Sequence, residues 1–298
     1  MTTEPKKQHW IKSIPMSKKR VWVSGVVLLT VGLGFLVFYI IFALTHVSTD
    51  DAFIEAHVIP ISPKVASHVS KVLVDDNQEV KDGELLVELD ARDYEAKLLM
   101  TKASLESAEA ERAQAAQDVE RYKKLAENDE VSKQQLDKAL LRLQTAQAQV
   151  AKTSADNEQA SLQLSYTRIS TPARGQVTRK NVEQGAYLQV GQAIMAIVSP
   201  ERWVIANFKE TQLTHMRPGQ KVNIRVDAFP NMHYKGIVDS IQRGTGARFS
   251  LLPAENATGN YIKVVQRVPV KIVLDAGSKT DTRLVPGMSV DAVVNISS

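Results

Sequence analysis

The sequence predicts an elongated α+β chain: an N-terminal transmembrane helix, a small sandwich of strands split by a helical hairpin, and a C-terminal antiparallel β-barrel. Three observations carry that prediction. Residues 21–44 are 24 consecutive side chains without a formal charge. Residues 61–89 are echoed, at an offset of 108, by residues 169–197. Between the two copies, residues 91–165 contain neither glycine nor proline.

Length and composition set the bounds. A chain of 298 residues has room for about two domains. With 44% hydrophobic and 23% charged residues it has an ordinary globular balance. Aromatics at 6% argue against a surface that stacks bases. The absence of cysteine excludes a disulfide scaffold, a thiol nucleophile and a thiolate zinc site together. The net charge of +4 is local: residues 1–20 hold Lys6, Lys7, Lys12, Lys18, Lys19 and Arg20 against Glu4 alone. The remaining 278 residues carry 31 basic and 32 acidic groups, so the basicity is an arm and no nucleic-acid footprint is expected.

Val21–Leu44, as a helix rising 1.5 Å per residue, reaches about 36 Å, enough to cross a hydrocarbon layer of ~30 Å. The cationic arm precedes it, and Asp50 and Asp51 follow. The positive-inside rule therefore expects a cytoplasmic N-terminus and places the rest of the chain on the other side. Trp22 and Tyr39 sit towards the ends, where amphipathic rings favour the interface. A cleaved signal peptide is the rival, but its apolar region would be about 7–15 residues and end at a small-x-small site. The run therefore reads as an uncleaved single-pass anchor.

The repeat pairs Ile61 with Ile169, Val69 with Val177, Val74 with Val182, Val80 with Leu188, Gly83 with Gly191, Leu86 with Ile194 and Leu89 with Ile197. Short β-branched runs broken by Asp75-Asp76-Asn77, Asp82-Gly83, Gln184-Gly185 and Val190-Gly191 read as two strand–turn–strand units. Each is too small to bury a core alone, which predicts that they pack face to face. The alternative is two unrelated hairpins of like composition.

The intervening segment is rich in strong helix formers. A heptad seam runs Leu136, Ala139, Leu143, Ala146, Val150, Thr153, Asn157, Ala160, Leu164. It is answered by Leu98, Thr101, Leu105, Ala108, Arg112, Ala115, Val119, Tyr122 and Ala126, with Arg112 a break. Asn128-Asp129-Glu130 marks the turn, and Ser132 with Gln135 is a capping box that starts the return helix. An antiparallel coiled coil with arms of about 35 residues spans roughly 50 Å. Such a rod buries little per residue, so spanning a distance explains it better than a dimerisation coil does.

After Pro200 the pattern alternates, with strands expected at 203–208, 222–227, 235–241, 268–274 and 289–296. The spacing suggests a small antiparallel barrel. Residues 243–260 lack periodicity, and so long a loop reads as a contact surface. The organisation expected is a basic arm at 1–20, the membrane helix at 21–44, half-units at 45–90 and 166–200, the hairpin at 91–165 and the barrel at 201–298. His46, His57 and His68 do not group on one face, and Asp50-Asp51 point apart on an extended chain. No phosphate loop or nucleophile–base pair stands out, so no catalysis, metal or cofactor is expected.

The order anchor, split half-sandwich, hairpin and barrel resembles that of the HlyD-type membrane-fusion proteins, or periplasmic adaptors, over nearly the whole chain from Val21. The strings STDDAFIEAHVIPISPKVASHV, ANFKETQLTHMRPGQ and FSLLPAENATGNYIKVVQRVPVKI look like the EmrA subfamily. The hairpin is shorter than expected for EmrA and closer to the AaeA and AcrA kind. The resemblance implies a lipoyl-like barrel-sandwich hybrid and an adaptor for export of drugs or toxic small molecules. The partners it implies are an inner-membrane transporter of the major-facilitator class (EmrB-like), a TolC-like outer-membrane channel and further copies in a homo-oligomeric ring. An ABC-type protein or peptide exporter is the alternative transporter, and a mere periplasmic tether the alternative class. Arg121, Leu125 and Ser132 in RYKKLAENDEVS resemble the Arg-x3-Leu-x6-Ser tip by which such adaptors engage the channel. Arg248, Phe249, Leu251, Leu252 and Asn256 are the residues by which the long loop would meet the transporter. Lipoyl and biotinyl carriers share the half-sandwich, but their acceptor lysine has no counterpart where Asp90-Ala91-Arg92-Asp93 enters the hairpin.

Overall fold

The computed structural model describes residues 18–128, 130–248, 265–278 and 280–297. The first element is α1 (Lys18–Thr45), extended past the apolar run at its N-terminal end by Lys18, Lys19 and Arg20, good helix formers, and by Thr45 at the other end. Its side chains from Val23 to Leu44 are all exposed. Val23–Thr45 has a mean hydropathy of 2.7 and is long and apolar enough to cross a membrane. At its C-terminal end Thr45 Oγ1 donates to the Ile41 carbonyl at 2.8 Å, and the Ile296 N–H donates to the Thr45 carbonyl at 2.8 Å. Two strands follow, the short β1 (His46–Thr49) and the longer β2 (Ala52–Ile61).

The chain then divides into two units. One comprises Ala56–Arg202 with Thr280–Thr282 and contains the duplicated segments and the hairpin. Its strands are β3 (Ser67–Val72), β4 (Glu79–Val80), β5 (Leu85–Leu89), β6 (Arg168–Ser170), β7 (Gly175–Thr178), β8 (Tyr187–Leu188) and the start of β9 (Met195–Lys209). Between β5 and β6 run α2 (Arg92–Glu127) and α3 (Lys133–Ser165).

The offset of 108 governs the hydrogen bonding as well as the sequence. In β3 and β8, Ser67 pairs with Leu188 and His68 with Tyr187. Adding 108 to the first partner and subtracting it from the second gives Gly175 with Val80 and Gln176 with Glu79, which are the pairs formed by β7 and β4. Val69 opposite Leu89 likewise becomes Val177 opposite Ile197, again as observed. The turns obey the same rule. Gly83 N–H donates to the Thr171 carbonyl at 3.0 Å and Gly191 N–H to the Pro63 carbonyl at 3.1 Å. Asn77 and Gly185 both take positive φ, 63° and 86°, and donate to the carbonyls of Val177 and Val69. Two copies therefore form one sandwich about a pseudo-twofold axis. All six apolar pairs of the repeat are buried in its core, with Leu86 and Ile194 fully enclosed. Burying such a side chain stabilises by ~1.5–3 kcal/mol.

The hairpin is welded to this sandwich at its base. Tyr94 and Tyr166 pack on the sandwich core, and Tyr94 Oη donates to the Ala66 carbonyl at 2.9 Å. Ser67 Oγ donates to the Asp90 carbonyl at 2.9 Å. Arg92 forks onto both oxygens of Asp90 and donates its backbone N–H to Oδ1, so the segment expected to lack a carrier lysine is a helix start instead. The Arg92 hydrogen bonds hold the Asp90 carboxyl down at about 2 and raise the guanidinium in return.

The other unit gathers residues 1–55, 203–279 and 283–298. Beyond β9 its strands are β10 (Lys221–Val226), β11 (His233–Ile241), β12 (Arg267–Leu274) and β13 (Val290–Asn295). Neighbours run β1-β13-β10-β11-β12-β9, all antiparallel. The two ends of this path meet where Asn207 N–H donates to the Asp51 carbonyl at 2.8 Å and Thr49 Oγ1 donates to the Asn207 carbonyl at 2.9 Å. Alternation is strict: Val268, Val270, Ile272 and Leu274 of β12 face inwards with Phe208, Ile224 and Val294.

One expected boundary moves. The sequence pattern places residues 45–55 in the first half-unit, but β1 pairs with β13 through His46 opposite Asn295, and the barrel unit extends to Glu55. A strand of four residues has no stabilising pattern of its own. It takes its place from a ladder partner about 250 residues away.

Candidate functional site

The hairpin tip is the place where the sequence expects a partner, and its geometry follows from the two arms. At 1.5 Å per residue α2 is about 54 Å long and α3 about 50 Å. Every predicted seam position of α3 is buried or half-buried, with Ala139, Ala146, Thr153 and Ala160 buried. In α2 the buried residues are Ala108, Ala115 and Val119, and Arg112 is exposed, the break its position implied. Small side chains let the helices lie close, and Thr101 Oγ1 donates across to Asn157 Oδ1 at 3.3 Å.

At the apex the Leu125 carbonyl accepts from Asn128 N–H at 3.2 Å and from Glu130 N–H at 3.0 Å, which ends α2 and turns the chain. Ser132 is the N-cap of α3, and its hydroxyl accepts from Gln135 N–H at 3.4 Å, the Ser132 half of the predicted box. Arg121 stands one turn before Leu125. Its side chain is 68% exposed and only lightly held by Asp118, Nη2 to Oδ1 at 3.5 Å. The Leu125 side chain is half-buried, so it closes the seam while presenting part of its surface. The structure thus brings Arg121, Leu125 and Ser132 together on the last turns of one apex. Lys124 is tied to Glu120 at 3.0 Å, an exposed pair of little energetic weight.

The second predicted contact lies mostly outside the described residues. Arg248 is exposed at the end of the 3-10 turn Gly246–Arg248, whereas Phe249, Leu251, Leu252 and Asn256 are not among the described positions. The histidines have separate surroundings: His46 stacks on Phe42 at 4.2 Å and His68 meets the Tyr187 ring edge-on at 5.0 Å.

Sequence reasoning missed a cavity of about 370 Å³ at the C-terminal end of α1, lined among others by Leu44, Thr45, His215, Arg217, Gln220 and Ile296. Its walls come from three separate segments, so no local motif marks it. The only signal was the string THMRPGQ, which reads as family wording and not as a site.

Comparison with known proteins places this architecture. Residues 57–199 match the family described as the RND membrane-fusion-protein barrel-sandwich hybrid domain, and residues 202–295 the AAEA-like beta-barrel domain. The multidrug export protein EmrA of Haemophilus influenzae is 37% identical over 330 aligned positions, covering 94% of this chain and 84% of its own. The colistin resistance protein EmrA of Acinetobacter baumannii is 31% identical, covering 94% and 95%. Among solved structures, the membrane fusion protein Spr0693 of Streptococcus pneumoniae covers 84% of this chain and 97% of its own. It has a TM-score of 0.62 at 18% identity, a likeness of fold. A sandwich duplicated about a hairpin, followed by this barrel, defines a membrane-fusion protein, an adaptor and not an enzyme. The chain belongs to the HlyD-type membrane-fusion family, in its EmrA-like branch.

Proposed function

We propose that the chain is the adaptor subunit of a tripartite efflux system, held in the inner membrane by α1 with its N-terminus cytoplasmic and its bulk periplasmic. In this reading the barrel, with the loop at 243–260, meets an inner-membrane transporter of the major-facilitator class. The sandwich units associate with further copies in a ring, and the hairpin apex docks on a TolC-like channel. The substrates are drugs or toxic small molecules, in keeping with relatives named for multidrug export and colistin resistance. The adaptor then does mechanical work: it bridges the periplasm, and its partner supplies the energy.

The observation that carries the reading is the pair of arms with an apolar seam and a capped, partly apolar apex. Arg121 offers five forked donors suited to carbonyls or carboxylates, and Leu125 an apolar surface one turn on. The test is drug tolerance in cells that depend on this chain. Leu125→Asp abolishes efflux with expression and membrane insertion unchanged, and Arg121→Glu, at an exposed position that cannot disturb the seam, lowers it. Wild-type tolerance in both variants removes the tip from the mechanism.

A further inference from the structure

The cavity beside the end of α1 differs in charge from another cavity of the same unit. That other one, about 560 Å³, is lined by Asp50 and Asp291 as well as Lys209 and Arg267, so its charges offset. The one at α1, about 370 Å³, has no acidic side chain in its lining among the described residues; its ionisable side chains there are His215 and Arg217. Arg217 is exposed and forms no ion pair among the described residues. Among the described residues its guanidinium donates to the carbonyls of Thr214 at 3.2 Å and Met216 at 2.7 Å, neither of which carries a formal negative charge.

The height of these groups relative to the helix end is set by hydrogen bonds. Gln220 is 5% exposed and is wired three ways: its Oε1 accepts from Arg217 N–H at 2.9 Å, and its Nε2 donates to the carbonyls of His215 at 3.0 Å and Ile296 at 3.3 Å. Ile296 in turn donates its N–H to the Thr45 carbonyl. One residue thus ties the basic loop to the last turn of α1. In the last turn of the helix, Thr45 Oγ1 reaches the carbonyls of Ile41 and Phe42, and His46 Nδ1 lies 3.2 Å from the Phe42 carbonyl. Leu44, 71% exposed, is the last large apolar side chain of the run. If α1 crosses a bilayer, the level just beyond Leu44 is the level of the headgroups.

We propose that this cavity holds the phosphate of an anionic phospholipid headgroup, with Arg217 donating to it from one side and His215 from the other. The inference rests on α1 being a membrane anchor. Its function would be to fix the barrel at a set height and rotation on the lipid surface. The Arg217 stem lies along the apolar boundary and its head reaches the phosphate, as long basic side chains do at interfaces. The cavity volume lies within the range of small-ligand sites, ~300–1,000 Å³.

The test is retention of phosphatidylglycerol by the full chain in detergent, counted by native mass spectrometry during a lipid titration, beside insertion of the same proteins into phosphatidylglycerol vesicles. The wild type retains one lipid. Arg217→Gln weakens retention about fivefold, the effect of one basic group near an anionic surface, and Arg217→Glu weakens it further. Inorganic phosphate in large excess does not displace the lipid. Equal retention by wild type and Arg217→Glu, with both inserted into vesicles, overturns the site and leaves the anchor standing. Displacement by inorganic phosphate overturns the lipid as occupant. Failure of the wild type itself to insert overturns the anchor on which the inference rests.

Discussion

The sandwich and the hairpin share one unit of the chain and are held together by opposite means. The sandwich encloses large aliphatic side chains, Leu86, Leu188, Ile194 and Ile197 among them, and each copy hydrogen-bonds to the other in a register that the 108-residue offset reproduces. The hairpin has a seam one side chain deep whose buried positions are mostly alanines, with Val119 and Thr153, and an exposed arginine in the middle of one arm. A side chain lost from the sandwich is felt by both copies, whereas one lost from the hairpin is felt by a turn or two. The sandwich therefore sets position and the hairpin sets reach, which is what an adaptor that must place an apex far from its base requires.

The difference can be broken most strongly in the sandwich core. Ile194→Ala should cost about 2–5 kcal/mol, measured by chemical unfolding of the full chain in detergent. The equivalent truncation in the hairpin seam, Leu143→Ala, should cost less, because Leu143 is only half-buried. Equal losses would mean that the two regions are not held differently.

A second substitution tests the pseudo-symmetry where it is imperfect. Gly175 occupies the place that Ser67 takes in the first copy. A Cβ at Gly175 would sit 2.4 Å from the Val198 carbonyl oxygen and 2.6 Å from Ile197 Cγ2, whereas Ser67 carries a side chain that donates to Asp90. Gly175→Ala should destabilise by about 1–3 kcal/mol through overpacking. Ser67→Ala should cost about 1 kcal/mol, the net worth of one hydrogen bond. At the apex, Ser132→Ala should cost about 1 kcal/mol and appear as faster amide exchange at 133–136, with the sandwich amides unchanged.

The smallest effect is electrostatic. Asp90 has its pKa depressed from 3.8 to about 2 by Arg92. A depressed carboxylate contributes stability above its unfolded pKa and loses it as pH falls through the folded one, so this contribution fades between about pH 4 and pH 2. Because the pair faces solvent, its effect on stability is slight, and the direct check is the carboxyl chemical shift of Asp90. A midpoint near 3.8 would show that the fork onto Arg92 does not persist in solution.

The hairpin and the sandwich were legible from sequence for physical reasons. A stretch of 75 residues without glycine or proline that alternates steps of three and four has few alternatives to a coiled coil. The repeat was visible because each copy must bury the same side chains, from Ile61 and Ile169 to Leu89 and Ile197. What escaped notice depends on long-range partners. β1 owes its place to β13, and β9 runs without interruption from Met195 to Lys209 across the boundary expected at Pro200. The cavity at α1 joins residues 44, 217 and 296, which nothing local connects. At the tip, the motif spacing places Arg121, Leu125 and Ser132 about the turn but gives no sign that Leu125 is half-buried.

Bridging of the kind proposed requires that a stiff rod rise from the sandwich. The chain has no cysteine, so Asp93→Cys with Lys124→Cys places two spin labels uniquely on α2. In the full chain reconstituted in bilayers, pulsed electron–electron double resonance should give one narrow distance distribution near 47 Å, the rise over 31 helical residues. A broad distribution, or one centred well below that distance, would contradict the rod and with it the bridging role.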